Sequence, residues 1–505
     1  MKILQVTGFP NNGAGSGTLI TTQAEGLVKN NHAVCCILSE NNTNFPRLAG
    51  VKYHMIPFTA EENAEKIPGQ LDFNFPMFTT HTRSTATFWN MDLDEIKAIE
   101  QKYREAIAQE IEEFKPDVIH GQHNWIHNAV ATEFDLPVVV TIHGTDLMGY
   151  ERSLNRLKEL RELVHSGTLS KDELLKCKEE VDKYAHFVQM ARKSAADSQG
   201  IIVISEAQKQ KFCQLFPDQA DKVEQITNGY NPDVFKVMPV DKKDVLASLT
   251  AQNTPDGKIP TDYDKIVTFV GKFADFKGID VALDAAKKYE EAASEDGLKV
   301  ATIIVGSGAL EQQLKAQAED LQLQHTYFVG RQQHDVIRKI QNASDVSLVP
   351  SREEPFGLVA IEATACGHPV IATNNGGLCE VVNNTGKRIK KDFDPSTDAQ
   401  DPSILAPDAG TTDVYTTPLG ILIPQEDSEA LADGVMDIVT GKKTFDGQQI
   451  AEFTKANYDQ EVINQKLLAL FGRVSENYVS KDSEAKGKSY TLKPQTSGFD
   501  REDQK

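Results

Sequence analysis

Short apolar runs alternate with longer segments of helical periodicity along most of this chain. Ile3–Val6 reads as a strand, followed by a glycine-rich turn and a helix through about Lys29. Ala33–Leu38, Val118–His120, Val138–Ile142 and Ile201–Ile204 continue the series. A second series opens after Asn231-Pro232-Asp233-Val234-Phe235. Its strands are Ile266–Gly271, Val300–Val305, Thr326–Val329, Val346–Val349 and Pro369–Ala372, with Ile421–Ile423 as a sixth candidate. Strands that alternate with helices predict parallel, doubly wound sheets, so the chain reads as α/β with two such domains.

Four segments depart from the alternation. Pro, Phe, Thr and Asn dominate between Pro57 and Trp89, which predicts a long functional loop or insertion. Glu151–Ala196 is helical and mixed in charge, and reads as a solvated excursion from the first domain. Lys391–Pro418 is rich in Pro, Asp and Thr and reads as a loop insertion. The polar end, from about 479 to 505, predicts a disordered tail. At 505 residues two cores are expected, with domains at 1–233 and 234–447.

Composition narrows the partners. No apolar run reaches the roughly 18–20 residues that cross a bilayer, and the N-terminus has no h-region, so a cytoplasmic protein is expected. The net charge of −21 disfavours nucleic acid and anionic membrane surfaces and points to a soluble partner. Six cysteines without paired or metal-type spacing suit a reducing compartment.

The candidate chemistry gathers at strand ends, where open α/β sheets bind ligands. Glu354 and Glu362 flank a Phe356-Gly357 break, and a helix is expected to start near Leu358. The free N–H groups of its first turn, including those of Leu358 and Val359, suit a phosphate. Both carboxylates suit sugar hydroxyls, and a nucleotide sugar carries both features. Lys272 and Lys277 lie five apart on the turn after another strand, within reach of one diphosphate. Gly306-Ser307-Gly308 and Asn374-Asn375-Gly376-Gly377 end two more strands with small-residue turns. The N-terminal turn from Gly8 to Thr18, with Gly13, Gly15 and Gly17, also fits a phosphate. Its spacing departs from the dinucleotide fingerprint, although Glu40 lies near the ribose-binding distance. His143 ends a strand, and His120 and His123 end another. Zinc is the rival there, but no carboxylate or thiolate stands at a usual spacing, so no metal site is assigned. Asp92 and Asp94 read as an acidic helix start rather than a metal motif.

Together these residues resemble the family 4 retaining glycosyltransferases: Gly13 to Gly17, His143, Asn228-Gly229, Lys272 with Lys277, Gly306-Ser307-Gly308, and Glu354-x7-Glu362. The resemblance implies the GT-B fold, two Rossmann-like domains facing a central cleft, with a C-terminal helix within 448–478 crossing back to the first domain. It implies that Lys272 and Lys277 hold the diphosphate, Glu354 the transferred sugar and Glu362 the ribose. Gly15, Gly17, Gly308, Phe356, Gly357, Leu358 and Val359 complete the donor site, and His143 stands by the sugar as a catalytic group with Lys277 and Glu354. The family commonly has Arg where this chain has Lys272, which keeps the charge and loses the bidentate fork. Asn231 stands where Asp is commoner. An acceptor would fall to the N-terminal domain, where His81, Arg83, His123, Thr145 and Arg152 are candidates; for Arg83 an internal ion pair is the competing reading. The implied activity is hexosyl transfer from a UDP- or GDP-type sugar to a hydroxyl of a soluble acceptor, a small molecule or a saccharide, with anionic acceptors among the candidates, and with no cofactor besides the donor. The alternatives are a nucleotide-sugar epimerase, a phosphorolytic enzyme on the same scaffold, an NAD-dependent oxidoreductase using Glu40, and a non-catalytic nucleotide-sugar binder. Oligomeric state is not legible.

Overall fold

A computed structural model describes residues 1–11, 15–59, 67–79, 83–383 and 413–482. The glycine turn at Gly13, His81, most of the 391–418 segment and the 483–505 tail lie outside the described residues. The chain divides into two compact units, the first comprising Met1–Val203, Lys209–Ile226 and the chain from Asn464, the second comprising Ile204–Gln208 and Thr227–Ile463.

The first unit begins with β1 (Lys2–Val6), α1 (Gly15–Lys29), β2 (Ala33–Glu40) and β3 (Val51–Pro57). It continues with α2 (Leu93–Glu113), β4 (Val118–Gln122), α3 (Ile126–Ala131) and β5 (Val138–Ile142). Then come α4 (Thr145–His165), α5 (Lys171–Asp197), β6 (Gly200–Val203), α6 (Glu206–Leu215) and β7 (Val223–Gln225). The seven strands are parallel in the order β3-β2-β1-β4-β5-β6-β7. Helices cover both faces of such a sheet, which is why β4, β5 and β6 are buried at every position.

The second unit contains α7 (Lys242–Ser248), β8 (Lys265–Val270), α8 (Ile279–Glu295), β9 (Val300–Val305) and α9 (Glu311–Asp320). Next are β10 (Thr326–Gly330), α10 (His334–Ala343), β11 (Val346–Val349), α11 (Leu358–Ala365), β12 (Val370–Thr373) and α12 (Leu378–Asn383). After the undescribed stretch come β13 (Tyr415–Thr417), β14 (Gly420–Ile423), α13 (Ser428–Val439), α14 (Gly447–Tyr458) and α15 (Gln460–Asp482). The strand order is β10-β9-β8-β11-β12-β14-β13, parallel except for the β13–β14 pair.

The interior strands match the sequence pattern closely, and the fold is the expected pair of doubly wound parallel sheets. Three strands were not visible in the pattern, β3, β7 and β13, and each lies at a sheet edge. An edge strand covers less surface, so its apolar signal is weak: β3 reads VKYHMIP and buries only Ile56 fully. Part of the predicted 391–418 loop is therefore strand β13.

The folded chain departs from the sequence pattern at three places. The helical stretch Glu151–Ala196 is not a solvated excursion, because Tyr184, Phe187, Val188 and Ala191 of α5 are core residues. The segment from Pro57 to Trp89 contributes Phe58, Phe75, Met77, Phe78 and Phe88 to that core. Phe78 meets Trp125 at 5.0 Å between ring centroids, and Trp125 stacks on Phe187 at 5.3 Å. Irregular backbone here is held by aromatic burial rather than by periodic hydrogen bonding. The return of the chain to the first unit also starts later than expected. Gly447–Tyr458 stays with the second unit, and the first unit takes up the chain at Asn464, within α15.

Asp92 caps α2: its side chain accepts from the Glu95 amide at 2.8 Å while Glu95 reaches back to the Asp92 amide at 2.9 Å. That is a capping box, as an acidic helix start requires. Among the described residues no helix is long and apolar enough to cross a membrane.

Candidate functional site

In the second unit the carboxyl ends of β8, β9, β11 and β12 share one edge of the sheet, because the neighbours are parallel. The loops that leave them interlock. Gly278 has φ +62°, and a Cβ there would stand 2.0 Å from the Pro350 carbonyl oxygen. The turn after β8 therefore rests directly on the loop after β11. Gly308 has the same kind of reason for its residue type, since a Cβ would stand 2.3 Å from the Phe273 carbonyl oxygen. Its bare backbone lets two loops touch, which accounts for the glycine without a donor.

Lys277 Nζ donates to Glu354 Oε2 at 2.5 Å, and both side chains are largely buried. The cation and carboxylate that sequence reasoning assigns to one ligand are thus brought together from residues 77 apart. Lys272, on the same turn, is exposed. Glu354 precedes Gly357 and the start of α11 at Leu358 and Val359, whose N–H groups have no acceptor inside the helix. The Phe356 side chain is 3% exposed and its ring lies 6.0 Å from that of Tyr458, a core contact, so only its backbone is left to face a ligand.

Glu362 sits one turn into α11, half-buried, and makes no hydrogen bond or ion pair among the described residues. Burial pushes its carboxyl up to about 8. An unpaired carboxyl in such surroundings favours its neutral form, which can donate as well as accept.

Arg352 is the residue that motif spacing missed. Its guanidinium donates to Asp280 at 2.6 and 3.0 Å, to Glu426 at 2.9 Å and to the Asp275 carbonyl at 2.6 Å. The Arg352 amide donates to the Phe276 carbonyl at 2.8 Å. It fastens the loop bearing Glu354 to the turn bearing Lys277. Asp280 and Glu426 lie 72 and 74 residues away, so no local pattern could reveal the contact.

In the first unit, Gly15 opens α1 and Gly17, in its first turn, is buried at the carboxyl end of β1. His143 follows β5 and is buried; its Nε2 lies 2.8 Å from Gln122 Oε1. His123 follows β4 in a left-handed conformation, φ 75°, with its ring centroid 4.4 Å from that of His143. The loops bearing these histidines are pinned by Asp146, a residue given no role by the sequence. It accepts from the amides of Asn124 (2.8 Å), Gly144 (2.9 Å), Leu147 (3.1 Å) and His143 (3.2 Å). Burial raises its carboxyl to about 6 despite those four donors. His120 is lowered to about 3 and His127 and His143 to about 4, each mainly by burial, and His123 is held well below its ordinary value. These imidazoles are neutral at neutral pH. Among the described residues, no group of three or more His, Cys, Asp and Glu side chains is arranged to hold a metal ion.

The acceptor candidates divide. Arg83 forms the internal ion pair, with its fork on Glu40 at 2.5 and 3.2 Å. Its guanidinium is thereby committed, and so is Glu40, which is fully buried and also accepts from the Asn41 and Asn42 amides. That removes Glu40 as a ribose ligand and, with it, the dinucleotide reading of the first glycine turn. Arg152 is exposed and lies over the Trp89 ring at 4.4 Å, and Thr145 opens α4 half-buried. His81 lies outside the described residues.

Comparison with known proteins matches both halves of the chain. Residues 13–234 match the family model "Glycosyltransferase Family 4", and residues 253–401 match "Glycosyl transferases group 1". An uncharacterized glycosyltransferase of Methanocaldococcus jannaschii is 30% identical over 275 residues, 53% of this chain and 60% of that protein. A D-inositol 3-phosphate glycosyltransferase of Segniliparus rotundus is 31% identical over 184 residues, 36% of this chain and 38% of that protein. The chain thus spans less than two thirds of either relative. The fold is similar to that of sucrose-phosphate synthase from Thermosynechococcus elongatus, with a TM-score of 0.61 at 19% identity, over 94% of this chain and 100% of that one.

Proposed function

We propose, from the premise that this chain belongs to the family 4 glycosyltransferases of GT-B fold, that it moves a hexosyl group from a UDP- or GDP-type sugar to a hydroxyl of a soluble, anionic acceptor, with retention of configuration. The observation that carries the reading is the Lys277–Glu354 pair at 2.5 Å, just ahead of the amide-lined start of α11. A cation, a carboxylate and a helix N-terminus side by side suit a ligand that carries both a diphosphate and hydroxyls.

Cleavage of the anomeric bond builds negative charge on the departing diphosphate. Lys277, Lys272 and the Leu358 and Val359 amides stabilise that charge. An incoming phosphate takes Lys277 from Glu354 and leaves that carboxylate for a sugar hydroxyl. Glu362, neutral near pH 7, is matched to ribose hydroxyls, which both give and take hydrogen bonds. The leaving phosphate assists deprotonation of the acceptor on the same face, so the configuration is kept. With lysines and backbone amides stabilising the charge, this course needs no metal ion.

The first unit is assigned the acceptor, through His123, Thr145 and Arg152, and His143 a sugar hydroxyl. A relative named for inositol 3-phosphate supports an anionic acceptor. Six free cysteines support a reducing cytoplasm as the setting.

The test is a thermal-shift panel of UDP- and GDP-hexoses, followed by mass spectrometry and anomeric NMR of products formed with phosphorylated acceptors. Stabilisation by one donor, release of its nucleoside diphosphate and a glycoside of the donor's own configuration are expected. A product of inverted configuration, an epimerised donor, or binding without turnover overturns the proposal.

A further inference from the structure

Gln122 ends β4 and His143 directly follows the neighbouring parallel strand β5, with Gln122 paired in register with Thr141. Gln122 is completely buried and its polar groups all have partners. Its side-chain Nε2 lies 3.3 Å from both ring nitrogens of His120, its backbone carbonyl accepts from His127 Nε2 at 2.5 Å, and its Oε1 lies 2.8 Å from His143 Nε2. The amide NH2 is thus committed to the His120 ring. His120 is neutral and can take an N–H on its bare nitrogen or its ring face, whereas an oxygen there would face electron density. Only the amide oxygen remains for His143, and an amide oxygen can only accept. The proton of the neutral His143 ring must therefore sit on Nε2. Nδ1 is then bare, and it has no hydrogen-bond partner among the described residues.

We propose that Gln122 is the positioning residue of His143, holding its Nε2–H tautomer so that Nδ1 is presented to ligand as a hydrogen-bond acceptor. The ligand group that Nδ1 meets is a hydroxyl, since it must donate; naming it a sugar hydroxyl rests on the function proposed above. The surroundings keep the ring neutral. Among the described residues, the titratable groups around it are the imidazoles of His120, His123 and His127, all lowered by burial, and Asp146, whose oxygens are taken up by four backbone amides. Asp146 accepts from the His143 backbone and not from its ring, so among the described residues it is the amide of Gln122 that sets the tautomer.

The tautomer can be read without turnover. Long-range 1H–15N NMR of the 15N-histidine-labelled full chain separates protonated from bare ring nitrogens, and His143→Asn assigns the signal. In the wild type at pH 7, His143 is expected as a single neutral Nε2–H tautomer that remains neutral to below pH 6. An Nδ1–H tautomer, or an imidazolium at pH 7, overturns the proposal whatever any variant does. Gln122→Met, which keeps the volume, is expected to lose the single-tautomer signature, and Gln122→Glu to raise the pH at which His143 titrates. An unchanged tautomer in a folded Gln122→Met overturns the positioning role. If no nucleotide sugar is turned over by the wild type, the proposed function fails while the tautomer result still stands.

Discussion

Lys277 and Glu354 satisfy each other at 2.5 Å, so each is held in place before any ligand arrives. Lys277→Ala removes the largely buried cation of the turn after β8. Turnover is expected to fall by roughly 10²–10³-fold, the scale of losing one charge-stabilising donor, and steady-state kinetics with the identified donor measures it. Near wild-type turnover would end the assignment. Glu362 makes a separate prediction. Its folded value, about 8, stands above its ordinary 4.5, so the folded state holds this proton more tightly than the unfolded chain. The resulting penalty is absent below about 4.5, grows as pH rises, and is complete above about 8. Glu362→Gln lacks that penalty. Its urea midpoint, relative to wild type, should climb steadily across this window, and a difference that does not vary with pH would refute the assignment. Residue identity made Lys277, Glu354 and Glu362 candidates. The commitment of Arg83 to Glu40 needed the folded chain, because the partners lie 43 positions apart and either reading of Arg83 suits the sequence.

At the scale of elements, the strand-end loops are shaped by mutual contact as well as by their own hydrogen bonds. Gly278 shows this most directly, with positive φ and the Pro350 carbonyl where a side chain would be. Gly278→Ala must move one loop or the other. A loss of about 1–3 kcal/mol in urea unfolding is expected, together with weaker donor binding; an unaltered midpoint would show that the two loops are not interdependent. Arg352 acts on the same pair of loops through the Asp275 and Phe276 carbonyls, and its guanidinium also reaches Asp280 in α8 and Glu426 beyond β14. Neither contact is periodic, so neither was legible beforehand. The interior strands were legible because burial on both faces forces continuous apolar runs. The edge strands β3, β7 and β13 escaped because they need not be apolar. The burial of α5 is hidden from the sequence for a related reason. Its charged face dominates the composition, while its buried stripe, Tyr184, Phe187, Val188 and Ala191, occupies only a few positions.

The whole molecule is strongly acidic, net −21, yet Lys277 and the α11 amides offer an anion a favourable local environment. Local fields of this kind act at short range and are little affected by distant surface charge at physiological ionic strength. Donor binding is therefore expected to register where those groups sit. In hydrogen exchange, a saturating UDP- or GDP-hexose should slow exchange at 271–278, 306–308 and 352–362. Stabilisation by the donor without protection in those segments would relocate its site.

From the amino-acid order alone came two doubly wound sheets, the strand ends where chemistry is expected, and the resemblance resting on Lys272, Lys277, Glu354 and Glu362. Those features are local: a strand buried on both faces and a turn of small residues each write themselves into a few adjacent positions. Only the tertiary structure decided which polar groups remain available. It paired Arg83 with Glu40, put Phe356 in the core, made Arg352 a clamp and set Gln122 against His143. Hydrogen bonds and ion pairs between residues tens of positions apart depend on how strands and loops meet in space, and periodicity carries no record of that.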